Sequence, residues 1–201
     1  MNNAPAEPKS LTESMRHQDF ITQCPLFLVW VADLHRLKRR SQERDFPAEV
    51  LDYFDAFMVA LIDVALAAQN AAIALESLGL GMVYVGAVRN APDAVAAEIG
   101  LPEMTIPVFG MCVGYPDAEA SRAVKPRLPQ QAVLHRERYD SEVQHEAIEQ
   151  YDRNLIDFWM SQGGSPSTWT DAVARRVSGL AVMNGRERRR QIVTSFGFNL
   201  R

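Results

Sequence analysis

The stretch ESLGLGMVYVGAVR, Glu76–Arg89, decides how the rest of the chain is read. It reads as a helix end, a glycine-marked turn and a short strand. Gly79 and Gly81 are placed to stop a helix, because glycine takes positive φ at little steric cost. Met82, Val83, Tyr84 and Val85 form a run that favours a strand. Gly86 and Ala87 then remove side-chain bulk where that strand ends, and Arg89 adds a fixed positive charge. Bare backbone beside a guanidinium suits a flat, anionic ligand. Close packing of one strand on its neighbour would use the same two small residues. The spacing matches neither GxGxxG nor the Walker pattern, so neither phosphate loop is supported.

On the N-terminal side, Ala48 to Leu78 carries the clearest helical period. Val50, Phe54, Phe57, Met58, Leu61, Ile62, Ala65 and Leu66 recur at three- and four-residue steps. Its alanine-rich second half predicts a helix that is buried nearly all round or lies at a subunit interface. Asp63, Gln69 and Asn70 interrupt it and call for hydrogen-bond partners. Further upstream, Cys24–Ala32 reads as a strand buried on both faces. The cations Lys38, Arg39, Arg40 and Arg44 read as a solvated connector. Residues 1–17 read as a flexible lead-in.

On the C-terminal side, a short helix is expected from Pro92 to Glu98, capped by Gly100. Thr105–Gly114 is the next strand, with a bulge or a close approach at Gly110. Lys125-Pro126-Arg127-Leu128-Pro129 is held extended by its prolines. Its two cations stand on a stiff strip that suits a phosphate, or they belong to a solvent-facing connector. Helices are expected over 143–162 and from Thr168 toward Leu180, and Arg186–Arg190 as a charged helix face.

The chain has 201 residues, enough for one sizeable core. Hydrophobic content of 47% and charged content of 23% fit a globular protein, and a net charge of -4 gives no reason to expect nucleic acid. No secretion signal and no uninterrupted apolar span are visible, so neither export nor a membrane is expected, and the cytoplasm is. Cys24 and Cys112 read as buried thiols of a reducing compartment. The four histidines, His17, His35, His135 and His145, form no metal-binding pair, and no serine elbow or activated thiol is found. Without acid–base machinery of its own, an enzyme of this kind leaves the chemistry to a cofactor.

Taken together, CPLFLVWVADLHR from Cys24, AAQNAAIALESLGLGMVYVGAVRN from Ala67, IPVFGMCVGYP from Ile106, KPRLPQQAVLHRERY from Lys125, YDRNL from Tyr151 and TWTD from Thr168 resemble the nitroreductase superfamily. The likeness is to its branch of NADPH-dependent flavin reductases and oxygen-insensitive nitroreductases. It implies an α+β fold, a central antiparallel sheet flanked by helices, in an intertwined homodimer. Residues 18–201 would form one such domain, with about 163–201 as a C-terminal extension. It implies FMN as cofactor and NADPH as co-substrate, with nitroaromatics, quinones or free flavin as small flat acceptors. In relatives of this kind the turn matching Tyr84, Val85, Gly86, Ala87, Val88 and Arg89 contacts the flavin. The strip matching Lys125 and Arg127 holds its phosphate end. Measured against that pattern, the first sheet strand and an Arg-Arg-Ser segment are expected to be missing. Gln162 stands where relatives carry a nucleotide-contacting arginine. The alternative is a non-catalytic member of the same fold that keeps the dimer but has lost the flavin site.

Overall fold

The computed structural model describes residues 19–117, 119, 123–183 and 186–201, so the expected lead-in at 1–17 lies outside the described residues. The described residues divide into two compact units, 19–117 with 186–201, and 119 with 123–183.

The first unit is built on an antiparallel sheet of three strands, β1 (Leu26–Asp33), β2 (Gly81–Val85) and β3 (Thr105–Gly114), in the order β1-β3-β2. β3 takes the centre, and its near-continuous apolar sequence is what a strand covered on both faces requires. β1, expected to be buried on both faces, is mostly half-buried. Among the described residues it is an edge strand with β3 as its one neighbour.

The register runs Phe27↔Cys112, Leu28↔Met111 and Trp30↔Phe109, then slips so that Val31 faces Pro107. Val108 is thus the extra residue of a bulge, next to a proline that could not donate to the ladder in any case. Gly110, expected to mark a bulge or a close approach, marks the close approach. The Phe27 ring lies where a β-carbon at Gly110 would be.

Helix α1 (Asp19–Gln23) precedes β1, and α2 (His35–Gln42) follows it. Lys38, Arg39 and Arg40 of the basic cluster read as a connector are therefore helical, and Arg44 follows the helix. Arg39 and Arg40 share Glu43 as an ion-pair partner, and Lys38 pairs with Glu103. The long helix α3 (Phe54–Ser77) starts six residues after the expected Ala48, behind a 3-10 turn at Glu49–Asp52, and the chain turns away at Gly79, which has φ +75°. Gly81, also expected to stop the helix, instead opens β2.

Ala68 and Ala72 of α3 are fully buried against Met111 and Val113 of β3, with Leu28, Trp30 and Met82 around them. Two alanines one helical turn apart bring the helix axis close to the sheet. Farther along the same face, Phe57 and Ala60 meet Ala32, Ile106, Val193 and Phe198. The opposite face of the sheet carries Phe27, Val29, Val85 and Cys112. These pack with α1 and with the turn that leads into α4 (Pro92–Glu98).

The C-terminal residues close the unit. The Phe196 carbonyl accepts from the Met104 amide, and the Arg201 amide donates to the Asp52 carbonyl. By length and composition α3 is apolar enough to cross a bilayer, yet only four of its residues, Phe57, Ala60, Ala68 and Ala72, are buried in the chain. It is not buried nearly all round. Asp63 and Asn70 are exposed, and Gln69 has a side-chain partner, described below.

In the second unit, α5 (Gln144–Ser161) buries Tyr151 and Leu155, and α6 (Trp169–Val177) follows. The Thr168 hydroxyl caps α6 by accepting from the Asp171 amide at 3.0 Å. Asp152 of α5 accepts from the amides of Trp169 and Thr170. The last helix, α7 (Arg189–Ser195), belongs to the first unit.

Gly110→Ala should lower the stability of the chain by about 1–3 kcal/mol, the usual cost of an overpacked core. Urea unfolding measures it. A variant as stable as the parent would mean that the Phe27 ring yields without strain.

Candidate functional site

The candidate site grows from the end of β2. Residues alternate along that strand, so Tyr84 turns toward α3 while Val85 enters the opposite core. The Tyr84 hydroxyl donates to Oε1 of Gln69 at 3.3 Å, and its ring meets Phe109 edge-on with centroids 5.5 Å apart. The Gln69 amide nitrogen is left to donate elsewhere.

Past Val85 the chain makes a 3-10 turn, Gly86–Asn90. Ala87 and Val88 bury their side chains, while Gly86 and Arg89 line a depression of about 410 Å³ with Tyr84, Gln69, Ala65 and Phe109. Of the six residues expected in the turn, Tyr84, Gly86 and Arg89 therefore share one surface. Val85, Ala87 and Val88 turn their side chains into the core and could offer a ligand only backbone.

Gly86 has a more specific purpose than strand-on-strand packing. A β-carbon there would lie 3.1 Å from Nη2 of Arg89, so the missing side chain makes room for that guanidinium. Nη1 of Arg89 donates to the Val108 carbonyl at 3.1 Å, at the bulge of β3. The turn is held from behind by two arginines that sequence reasoning assigned only to a charged helix face. Nε and Nη2 of Arg186 donate to Oδ1 of Asn90 at 2.9 and 2.7 Å, and Nη2 also reaches the Gly86 carbonyl at 3.4 Å. Nη2 of Arg189 donates to the Arg89 carbonyl at 2.9 Å. These partners lie 96 to 100 positions apart, a separation that no local pattern signals. Burial, then the like charges of Arg89 and Arg186, pushes the Arg189 pKa down.

Lys125 and Arg127 lie in the second unit, both exposed on an extended segment. The Tyr151 hydroxyl donates to the Pro126 carbonyl between them at 3.1 Å, so a buried helix residue fixes the strip. Nζ of Lys125 stands 5.1 Å from the centroid of the Trp159 ring. The strip is stiff, as its prolines predict, and pinned as well, which they do not. Gln162 caps the end of α5 through its amide, which donates to the Phe158 and Trp159 carbonyls.

Cys112 is buried in the core behind the turn, whereas Cys24, expected to be buried as well, is half-buried against it; both are free thiols. Sγ of Cys24 donates to the Ile21 carbonyl at 3.2 Å. Burial, then the neighbouring Cys24, pushes the Cys112 thiol up to about 12 from its ordinary 9.0.

The sheet, its two helical layers and the arginine-held turn define an α+β fold with a depression beyond the end of β2. The Nitroreductase family model matches residues 2–115, and that of the Nitroreductase family, C-terminal domain, matches 125–201. The chain belongs to the nitroreductase family. It is 35% identical over 175 residues to FMN reductase (NADPH) of Bacillus subtilis, a match covering 84% of this chain and 69% of that one. Among solved structures, NfrA2 of B. megaterium superposes with a TM-score of 0.85 at 32% identity, over 94% of this chain and 75% of that one. The NfrA1 nitroreductase of B. subtilis superposes at 0.82 with 34% identity, over 92% and 74%.

The Cys112 thiol carries a pH prediction. The folded state keeps its proton where the unfolded chain releases it, so this contribution to stability is complete below about pH 9 and is lost as pH rises toward 12. Unfolding midpoints in urea should fall over that window, and Cys112→Ala should flatten the fall. Parallel pH profiles for parent and variant would contradict the assignment.

Proposed function

We propose that this chain is an FMN-dependent NAD(P)H oxidoreductase that reduces nitroaromatics, quinones or free flavin. The observation that carries the reading is the depression at the end of β2, on a chain of this family. Its make-up fits a flat, polar-edged ring. Tyr84 and Phe109 supply aromatic walls, the Gln69 amide nitrogen can donate to a ring carbonyl, and Arg89 supplies a cation. The likeness to FMN reductase (NADPH) supports the same cofactor and NADPH as the donor.

FMN held here would supply the redox chemistry between NADPH and the acceptor. The chain positions and tunes. Tyr84, Gly86 and Arg89 orient the ring, and the Arg89 charge favours negative charge gathering there. The peptide groups of Val85, Ala87 and Val88 complete the turn. Arg186 and Arg189 keep it from relaxing. Lys125 and Arg127, on the pinned strip of the second unit, are the cations that would suit a phosphate.

The working form is a homodimer. Phe54, Met58, Ile62, Leu66 and Ile73 of α3 are all exposed, Leu66 at 61%, and they form a stripe too apolar to face water. A second copy of α3 would cover it. Two free thiols side by side suit a reducing compartment such as the cytoplasm.

Purified protein should show flavin absorbance with one FMN per chain and consume NADPH when a quinone is supplied. Lys125→Ala with Arg127→Ala should weaken FMN binding about tenfold, or about 1.4 kcal/mol. A chain that takes up no FMN would overturn the enzyme reading, and unchanged affinity in the double variant would remove the phosphate role alone. Sedimentation should give a dimer that Ile62→Asp with Leu66→Asp converts to monomer. A parent chain that sediments as a monomer would reject the interface.

A further inference from the structure

A second cavity of the first unit, about 500 Å³, lies between the start of α3, the first half of β3 and α7. Its walls are apolar, among them Phe57, Leu61, Ile106 and Val193, and no aspartate or glutamate lines it. Arg189 and Arg190 enter it from α7. Among the described residues, neither guanidinium has a carboxylate within ion-pair distance. Arg189 reaches only a neutral carbonyl, that of Arg89, while two further arginines crowd it.

We infer that this cavity binds an amphipathic anion, an apolar chain or ring system ending in a carboxylate. Each half of such a ligand has a counterpart in the cavity. The cavity is of the size that encloses small organic ligands. Its walls reward removal of the apolar part from water, at about 25 cal/mol per Å². Arginine presents paired N–H donors that match a carboxylate, and a negative head relieves the repulsion among neighbouring cations. A neutral apolar ligand would leave that repulsion in place, and a small hydrophilic anion would leave the walls wet. The cavity borders the depression beyond β2, since Arg89 lines both and Arg189 braces the turn between them, but its apolar walls come from α3, the first half of β3 and α7. Decanoate titration reads those walls, and flavin absorbance reads the other site, so the two readings fail distinguishably.

Calorimetric titration of the full chain, purified with FMN present, compares decanoate, decanol and acetate below their aggregation limits. Decanoate should bind at least about tenfold more tightly than decanol, and acetate should show no binding. Arg189→Gln with Arg190→Gln should bring decanoate down to the level of decanol. Val193→Trp, which fills the cavity, should abolish binding of both. If the double variant does not fold, ionic strength in the parent makes the same distinction. Raising salt from about 0.05 M to about 0.5 M should weaken decanoate and spare decanol. Equal affinity for decanoate and decanol, decanoate binding that survives Val193→Trp, or a decanoate affinity indifferent to salt would each overturn the inference.

Discussion

The first unit depends on how closely its layers approach β3. That strand has a neighbour on each edge, and two of its contacts tolerate no added bulk. Ala68 and Ala72 set the helix α3 directly on Met111 and Val113, and Gly110 lies under the Phe27 ring. Interiors are packed to the density of organic crystals, so a methyl group added at such a contact must displace something. Once β3 is fixed in this way, the directions of β2 and of the turn beyond it are fixed as well. The depression beyond β2 inherits its geometry from this packing.

The turn itself is shaped by charge. Arg89, Arg186 and Arg189 converge on it and donate mainly to carbonyl oxygens and to one asparagine oxygen. Hydrogen bonds from a charged donor are stronger than neutral ones, and each arginine offers several in a planar array. The arrangement holds an irregular stretch of backbone in place. Among the described residues, no carboxylate lies within ion-pair distance of Arg186 or Arg189.

The exposed side of α3 gives the structure a second kind of incompleteness. A helix this apolar, held to the sheet by a narrow alanine stripe, leaves large side chains in solvent. Globular proteins cover such stripes with a partner surface. The helix that carries the stripe also supplies Gln69 and Ala65 to the depression beside Tyr84, so a partner covering the stripe would be linked to that surface. A change in how α3 is covered would be felt at that surface.

Much of this was legible in the residues. The period of α3, the strand at 81–85, the central strand at 105–114 and the proline-stiffened strip at 125–129 are local patterns, and they formed where local propensity places them. The family likeness added the cofactor and the names of the turn residues. Other features were settled only by the tertiary structure. Lys38, Arg39 and Arg40 after β1 proved helical, with surface ion pairs to Glu43 and Glu103 along the way. Gly86 proved to accommodate Arg89, and Arg186 and Arg189 proved to brace a turn about a hundred residues earlier. Sequence alone determines which short segments can become helix or strand, since that depends on neighbours within a few positions. Which arginine meets which carbonyl depends on packing between distant segments, and only the folded chain brings those together.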